Sequence, residues 1–313
     1  MPGRPRLTVL GSLNTDISVA VQRLPAPGET VLGQGAVIVP GGKGSNQAVA
    51  AARLGGEVRM IGCTGDDDFA RLARSALEAE GVDISGVRAV AGIATGLALI
   101  TVDAAGENMI TVASGANGQV GDAETAAALS APCDLLVLSA EIPVGALGAV
   151  LAGARAAGLT CLLNLAPAPP DPAALLQGGV GWLVVNESEA AAVLGHAVAG
   201  LAEAGAAARD LCRRGALHAV VTAASQGAAL AGPDGHELVP ALSVRSVDSV
   251  GAGDAFVAAL AVTLAGGVPA ADAVRAASAA GATATTRRGT QDALPSPPDI
   301  LAATGVTWPV APG

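Results

Sequence analysis

The densest chemical signal in the chain is VDSVGAGDAF, Val247 to Phe256. Gly251, Ala252 and Gly253 are small and lead into a run, Phe256 to Leu264, whose composition favours helix, so the segment reads as a sharp turn into a helix N-terminus. The first backbone N–H groups of a helix have no partner inside it, and the macrodipole adds about +0.5 of a charge there. Without bulky side chains in the way, a phosphate approaches those donors closely. Asp254 is the odd member, because a carboxylate beside a phosphate repels it. It fits a proton acceptor for a hydroxyl that attacks the phosphate. An aspartate here also serves as an ordinary N-cap, and the spacing alone leaves both roles open.

A second cluster, Gly41-Gly42-Lys43-Gly44-Ser45-Asn46-Gln47, opens an alanine-rich helix that ends near Leu54-Gly55-Gly56. Lys43 and Asn46 bring a charge and a bidentate amide to its first turn. Of the 17 basic residues Lys43 is the one lysine, so this position calls for a compact ammonium rather than a generic positive charge. A Walker phosphate loop is excluded because a glycine follows Lys43, and no GxGxxG dinucleotide fingerprint follows the first strand. Asn14 and Asp16 lie two apart just after the apolar run Leu7 to Leu10. In extended chain that spacing puts both side chains on one face, suited to sugar hydroxyls or to a solvated turn.

Composition narrows the partners. Over 313 residues, 51% are hydrophobic and 14% charged, as in a globular chain with a substantial core. A net charge of −10 and the lack of any Lys/Arg cluster argue against nucleic acid. Cys63, Cys133, Cys161 and Cys212 have neither zinc-ligand nor disulfide-framework spacing and read as thiols in a reducing compartment. The N-terminal apolar run is too short for a signal peptide or membrane span, so the expected location is the cytoplasm.

The elements that must hold these residues follow from the hydrophobic pattern. Apolar runs alternate with alanine-rich helical stretches: 58–63 then 66–80, 135–139 then 144–157, then 160–164, 182–185 and 219–222, with a hairpin through 227–231. That is the rhythm of a doubly wound, mostly parallel α/β sheet flanked by helices. Glu141, Asn164, Asn186 and Glu189 fall at strand ends, on the edge where such sheets bind ligands, and each is also an ordinary cap or turn residue. A further helix opens near Pro269 and runs through Ser278 to Ala284, before a polar loop from Thr285 to Asp292, a turn at Pro295 to Pro298 and a short terminal element. In contrast, 17–21, 31–39, 96–102 and 109–112 read as paired strands with no helix inside either pair. They are expected to form a small four-stranded β lid, residues 14–40 and 93–113, across a body made of 1–13, 41–92 and 114–313.

Six blocks in order, GSLNTD (11–16), GGKGSNQA (41–48), CTGDDDF (63–69), NESE (186–189), VDSVGAGDAF (247–256) and RRGTQ (287–291), resemble the ribokinase family within the phosphofructokinase-B group of carbohydrate kinases. The similarity runs from about residue 7 to 295, and GGKGSNQA resembles ribokinases rather than fructokinases or adenosine kinases. The resemblance implies ATP-dependent phosphorylation of D-ribose at O5, with Asp254 as base and Gly251, Ala252 and Gly253 as the anion hole. It implies sugar contacts from Asn14, Asp16, Gly42, Lys43, Asn46, Glu141 and Asp254. ATP is expected at Asn186, Glu189, Thr222, Ala223, Ala224, Ser225, Gln226, Gly227, Gly253 and Ser278, with Glu189 acting on Mg²⁺ through water. K⁺ as activator is expected at Asp248, Val250, Ala284, Arg287, Gly289 and Ala293, and a homodimer through the lid. Two residues depart from the pattern: Ala224 replaces a usual glycine of the nucleotide loop, and Ala293 a serine that helps hold K⁺. The alternatives are a kinase of deoxyribose, a ketose or a nucleoside, and a sugar-binding regulator that has lost catalysis.

Overall fold

The computed structural model describes residues 3–310, so residues 1, 2 and 311–313 of the expected body lie outside the described residues. In chain order, β1 (Arg6–Leu10), β2 (Asn14–Ala20) and β3 (Ala36–Gly41) lead into α1 (Lys43–Arg53), β4 (Glu57–Thr64), α2 (Asp68–Ala79), β5 (Asp83–Ala89), β6 (Gly96–Val102), β7 (Asn108–Ala113) and α3 (Asp122–Ser130). Next come β8 (Leu135–Ser139), α4 (Val144–Ala157), β9 (Cys161–Asn164), β10 (Val180–Asn186), α5 (Glu187–Leu194), α6 (Gly200–Arg213) and β11 (Ala216–Thr222). The hairpin β12 (Gly227–Gly232) and β13 (Gly235–Pro240) precedes α7 (Ala252–Ala265), α8 (Ala270–Ala284) and α9 (Pro297–Thr304).

Nine strands form one sheet in the order β13-β12-β11-β10-β9-β8-β1-β4-β5. Pairing is parallel from β5 across to β11 and antiparallel for β12 and β13 at the edge. Its strands are apolar on both faces because both are covered. On β8, Leu135 and Val137 join the core beneath α1, α7 and α8, while Leu136 and Leu138 join the core beneath α4 and α6. Every residue of α7 from Asp254 to Thr263 is buried, which is why this helix is apolar all round rather than amphipathic. Its alanines meet those of α1 and α8, and small side chains let the three helices approach closely.

The second sheet, in the order β3-β2-β6-β7, is the expected four-stranded unit. β2 pairs antiparallel with β3 and parallel with β6. The chain passes from the large sheet to the small one between β1 and β2 and returns between β3 and α1. Both crossings lie at the carboxyl end of β1, beside that of β8. There the strand order reverses, and a doubly wound sheet opens a crevice at that point. The return crossing needs a close fit: a Cβ on Gly44 would lie 2.6 Å from Ser12 N and 2.7 Å from the carbonyl carbon of Gly11.

Three local expectations are corrected. The strand expected from residue 31 starts at Ala36, because Gly33 and Gly35 (φ 69°) interrupt it and leave Leu32 exposed. Pro269 is the N-cap of α8 rather than its first residue. β5, α3, α6 and β13 were not anticipated. β5 reads DISGVRA, with a mid-strand glycine and charged ends that hide its β character.

Candidate active site

At the switch point, Ser12 follows β1 and Glu141 follows β8. The Ser12 hydroxyl donates to Glu141 Oε2 at 2.5 Å, and the Lys43 backbone N–H donates to the same oxygen at 3.1 Å. Ser12 also accepts from the N–H of Gly44 through its hydroxyl (3.3 Å) and from that of Ser45 through its carbonyl (2.9 Å). The N-terminus of α1 is therefore satisfied by protein groups, with Glu141 placed favourably at the positive end of the helix.

Asp254 lies in the first turn of α7 and is 7% exposed. The N-cap is Gly251 in the left-handed conformation (φ 78°), so the cap alternative for Asp254 does not hold. Both carboxylate oxygens instead accept from α1: Asn46 Nδ2 donates to Oδ2 at 2.9 Å and Gln47 Nε2 to Oδ1 at 3.0 Å. Gly253 beside it is exposed, and a Cβ built there would meet no atom within 4 Å. Protein packing does not require glycine at that position.

Asp16 stands on β2 over Gly41, where a Cβ would sit 2.2 Å from its Oδ1. That oxygen is buried without a hydrogen-bond partner. Burial, and then the neighbouring charges of Glu141 and Asp254, push the Asp16 carboxyl up to about 6, against a smaller opposing pull from Lys43. The Lys43 ammonium is raised above its ordinary value chiefly by Asp254, with Glu141, Glu189 and Asp16 adding to the effect against the cost of burial. One ammonium thus serves four carboxylates, drawn from β2, α7, the β8 edge and α5. Asn14, buried on β2, accepts from Asn117 Nδ2 at 2.7 Å. A cavity of about 360 Å³ opens beside it, lined by Asn14, Asn117, Glu141, Val112, Pro143 and Pro167 among others. A smaller one of about 230 Å³, at His218, His236 and Pro269, lies at the antiparallel edge and shares none of these residues.

Of the residues expected to face a nucleotide, Asn186, Glu189 and Thr222 to Gly227 lie along the carboxyl ends of β10 and β11, and Gly253 and Ser278 on α7 and α8. Asn186 caps α5, its Oδ1 accepting from the Glu189 N–H (2.9 Å), while Glu189 Oε2 accepts from the Asn186 N–H (2.8 Å). The block NESE is thus a reciprocal capping box. Burial raises the Glu189 carboxyl, against the Asn186 N–H and Lys43. Thr222 ends β11, Ala223 is buried, and Ala224, Ser225 and Gln226 form an exposed turn before Gly227. Gln226 turns away to accept from the Leu201 N–H at 3.1 Å. Ala224 has φ 43° and is the one left-handed non-glycine among the described residues. Ser278 is half-buried on α8, and its hydroxyl donates to Val274 O (2.9 Å).

Two loops meet behind the start of α7. Asp248 accepts from the Val250 N–H (3.1 Å) and, across the gap, from the Gly289 N–H (3.2 Å), and the N–H of Val247 donates to Thr285 O (2.7 Å). Ala284 ends α8, the Arg287 side chain pairs with Asp299, and Ala293 is buried without a side-chain oxygen. A carboxylate and backbone carbonyls are hard oxygen donors of the kind alkali and alkaline-earth cations take. Among the described residues no group of three or more His, Cys, Asp or Glu side chains is disposed to hold a metal.

The pfkB family carbohydrate kinase pattern matches residues 4–297. The chain belongs to this family. It is 38% identical over 302 residues to a ribokinase of Schizosaccharomyces pombe, covering 93% of this chain and 95% of that one. It is 34% identical over 294 residues to a deoxyribokinase of Salmonella typhi, covering 93% and 95%. The structure of Arabidopsis thaliana ribokinase complexed with ribose and ATP superposes with a TM-score of 0.86 at 28% identity, covering 96% of this chain and 98% of that one. As a pfkB carbohydrate kinase the chain is an enzyme that phosphorylates, and its nine-stranded sheet and separate four-stranded sheet are the ribokinase fold. Sequence reasoning singled out Asp254, Lys43, Asn46, Glu141, Asp16 and Asn14, which the fold gathers at one crevice. It assigned no role to Ser12, Gln47, Asn117 or Gln291, and placed Asn164 only at a strand end, yet these residues bind the others to one another. Gln47 and Gln291 did stand inside the quoted blocks, but an uncharged amide carries no signature of its partners.

Proposed function

We propose that the chain transfers the γ-phosphoryl group of ATP to O5 of D-ribose. The observation that carries this reading is Asp254: a buried carboxylate held by two amide donors, one residue from an exposed glycine at an otherwise uncapped helix start. In this reading the 5-hydroxyl gives its proton to Asp254 as its oxygen bonds to the γ-phosphorus, and the bond to the β-phosphate oxygen breaks to release ADP. Backbone N–H groups at Gly251, Ala252 and Gly253 stabilise the charge on the migrating group. Positioning and charge neutralisation carry most of the rate in such a loose transition state. The orphaned Asp16 Oδ1 suits a hydroxyl donor, and Asn14, Gly42, Lys43, Asn46 and Glu141 complete a polyol-binding wall.

ATP lies in this reading along Asn186, Glu189, the Thr222-to-Gly227 turn and Ser278. Glu189 keeps one oxygen outside the capping box and would hold Mg²⁺ through water, the ion neutralising phosphate charge. The loops carrying Asp248, Val250, Ala284, Arg287, Gly289 and Ala293 would hold K⁺, which would stabilise the start of α7. The small sheet, residues 14–40 and 93–113, acts as a lid. Val37, Ile38, Leu99, Met109, Ile110 and Val112 stand about half exposed on it, which supports a homodimer through that sheet. The four cysteines are free, and no helix among the described residues is long and apolar enough to cross a membrane; both support a cytoplasmic location.

The likeness to a deoxyribokinase gives a second reading, phosphorylation of 2-deoxyribose. A coupled ADP-release assay over ribose, 2-deoxyribose, ketoses and nucleosides, with and without K⁺, separates them. Ribose is expected to give the highest kcat/KM, since a missing hydroxyl leaves buried polar groups unpaired. A higher value for 2-deoxyribose establishes the second reading, and no ADP with any acceptor revives the reading as a non-catalytic sugar binder.

A further inference from the structure

We infer that Gln47 and Gln291 are positioning residues that set the polarity of the amides around Asp254, so that its carboxylate is held as a proton acceptor. The inference rests on the reading of Asp254 as base. Hydrogen-bond logic carries it, beginning at a group whose direction cannot change. The carbonyl of Val184 only accepts, so Asn164 turns its Nδ2 to it (3.4 Å) and presents Oδ1 to Gln47. Gln47 must then offer Nε2, which donates to Asn164 Oδ1 and to Asp254 Oδ1, each at 3.0 Å. A flipped Gln47 would set its carbonyl oxygen against two acceptors at once.

The other carboxylate oxygen is governed from a different element. Gln291, in the loop after α8, donates Nε2 to Asn46 Oδ1 and to Ser45 Oγ, each at 3.1 Å. That engages the Asn46 oxygen and leaves its Nδ2 for Asp254 Oδ2 at 2.9 Å. Gln291 is itself anchored, because Arg53 at the far end of α1 donates to Gln291 O (2.5 Å) and Leu294 O (3.0 Å) while paired with Glu80 (2.6 Å). The segment 291–294 is thus tied to both ends of α1.

The chain of amides is dry: Gln47 is 1% exposed, Asn46 4%, and Asn164, Gln291 and Asp254 7% each. In such a setting a carbonyl oxygen placed about 3 Å from the carboxylate is tolerated only if the carboxyl takes up a proton, and a protonated carboxyl does not accept another from a hydroxyl. The charged groups that face Asp254 are Lys43 of α1 and Asp16 of β2, with Glu141 at the end of β8 and Glu189 of α5 acting on those two in turn. None of these donates a hydrogen bond to it among the described residues, so the two amides alone orient it.

The test compares kcat and sugar KM for wild type, Gln47→Leu, Gln47→Glu and Gln291→Leu, using whichever acceptor the wild type turns over. Gln47→Leu is expected to lower kcat by roughly 10- to 100-fold and Gln291→Leu by roughly 3- to 10-fold, with sugar KM changed by less than about threefold. Gln47→Glu keeps the shape and reverses the polarity. It is expected to be slower than Gln47→Leu at neutral pH, whereas a residue needed only for packing would give the opposite order. Unchanged kcat in Gln47→Leu, or that opposite order, overturns the inference while leaving the reading of Asp254 intact. A crystal structure of Gln291→Leu decides the point without turnover. Asn46 is expected to rotate, and an Asn46 Nδ2 still within hydrogen-bond distance of Asp254 Oδ2 overturns the role of Gln291.

Discussion

Helices α1 and α7 both begin at a glycine in the left-handed region, Gly42 (φ 89°) and Gly251 (φ 78°), and both deliver residues to the same crevice. Their first turns differ in what occupies the free N–H groups. In α1 the donors of Lys43, Gly44 and Ser45 go to Glu141 and Ser12, so that helix end is closed by the protein itself. In α7 the Ala252 N–H reaches Ser249 O at 3.3 Å, and no side chain among the described residues caps the turn. The glycines follow the same division. Gly44 has no room for a Cβ because backbone lies 2.6 Å away, whereas Gly253 has nothing within 4 Å. One helix start is built to dock onto the sheet and the other to be approached from outside, and sequence motifs of similar look encode both.

The comparison can be broken at its most consequential residue first. Asp254→Asn is expected to lower kcat by about 10²- to 10⁴-fold, the usual worth of a positioned base, while calorimetry still detects sugar binding. A near-normal rate would remove Asp254 as the proton acceptor. The glycines come next. Gly44→Ala should destabilise the fold by roughly 1–3 kcal/mol through overpacking, seen as a lower denaturation midpoint. Gly253→Ala should leave that midpoint unchanged or slightly raised, since alanine is favoured over glycine in a helix by roughly 0.5–1 kcal/mol. It should nevertheless lower kcat/KM for ATP by about tenfold, through crowding at the donors. Loss of stability in Gly253→Ala with activity retained would reverse the contrast between the helices.

Asp16 supplies a pH-dependent test of the same crevice. Its folded-state pKa is raised from 3.8 to about 6, so the folded protein holds this proton more tightly than the unfolded chain. The stability linked to it is fully present below the unfolded value and is lost as pH rises through the folded one. Asp16→Asn is therefore expected to melt at a higher temperature than wild type at pH 7.5, with the gap closing by about pH 4, and to bind sugar more weakly. A constant gap across that range would mean that Asp16 is not strained by its neighbours. The smallest effect is expected at Ala224, held at φ 43°. Glycine there relieves roughly 1–2 kcal/mol of left-handed strain, partly offset by a more flexible unfolded chain. Differential scanning calorimetry should register a small gain and ATP titration a modest tightening.

The parallel strands were legible because a strand covered on both faces is a short run of Val, Ile and Leu between turn residues, as in Leu135 to Ser139. β5 was not, because its exposed charged positions and Gly86 leave no such run. The strand expected from residue 31 failed for a related reason: composition proposes β structure, but two glycines interrupt it, Leu32 stays exposed, and among the described residues Gln34 alone bonds the end of β2, donating to Ala20 O at 2.8 Å. At the site, polar residues at strand ends were legible, Asn164 among them, while Asn117 and Ser12 were not, nor was the partner of Asn164. These roles exist only through partners more than 100 residues away: Asn14 for Asn117, Glu141 for Ser12 and Gln47 of α1 for Asn164.

The sequence by itself determined the class of sheet, the two glycine-led helix starts, and the inventory of one lysine, three carboxylates and two amides that the crevice uses. These are consequences of local composition and periodicity, which act over a few residues. Only the tertiary structure decided that Glu141 closes α1 while α7 stays open, and that Asp254 is gripped by amides rather than capping its own helix. Those outcomes depend on which backbone donors find an acceptor across the fold. Burial then makes each choice costly to reverse.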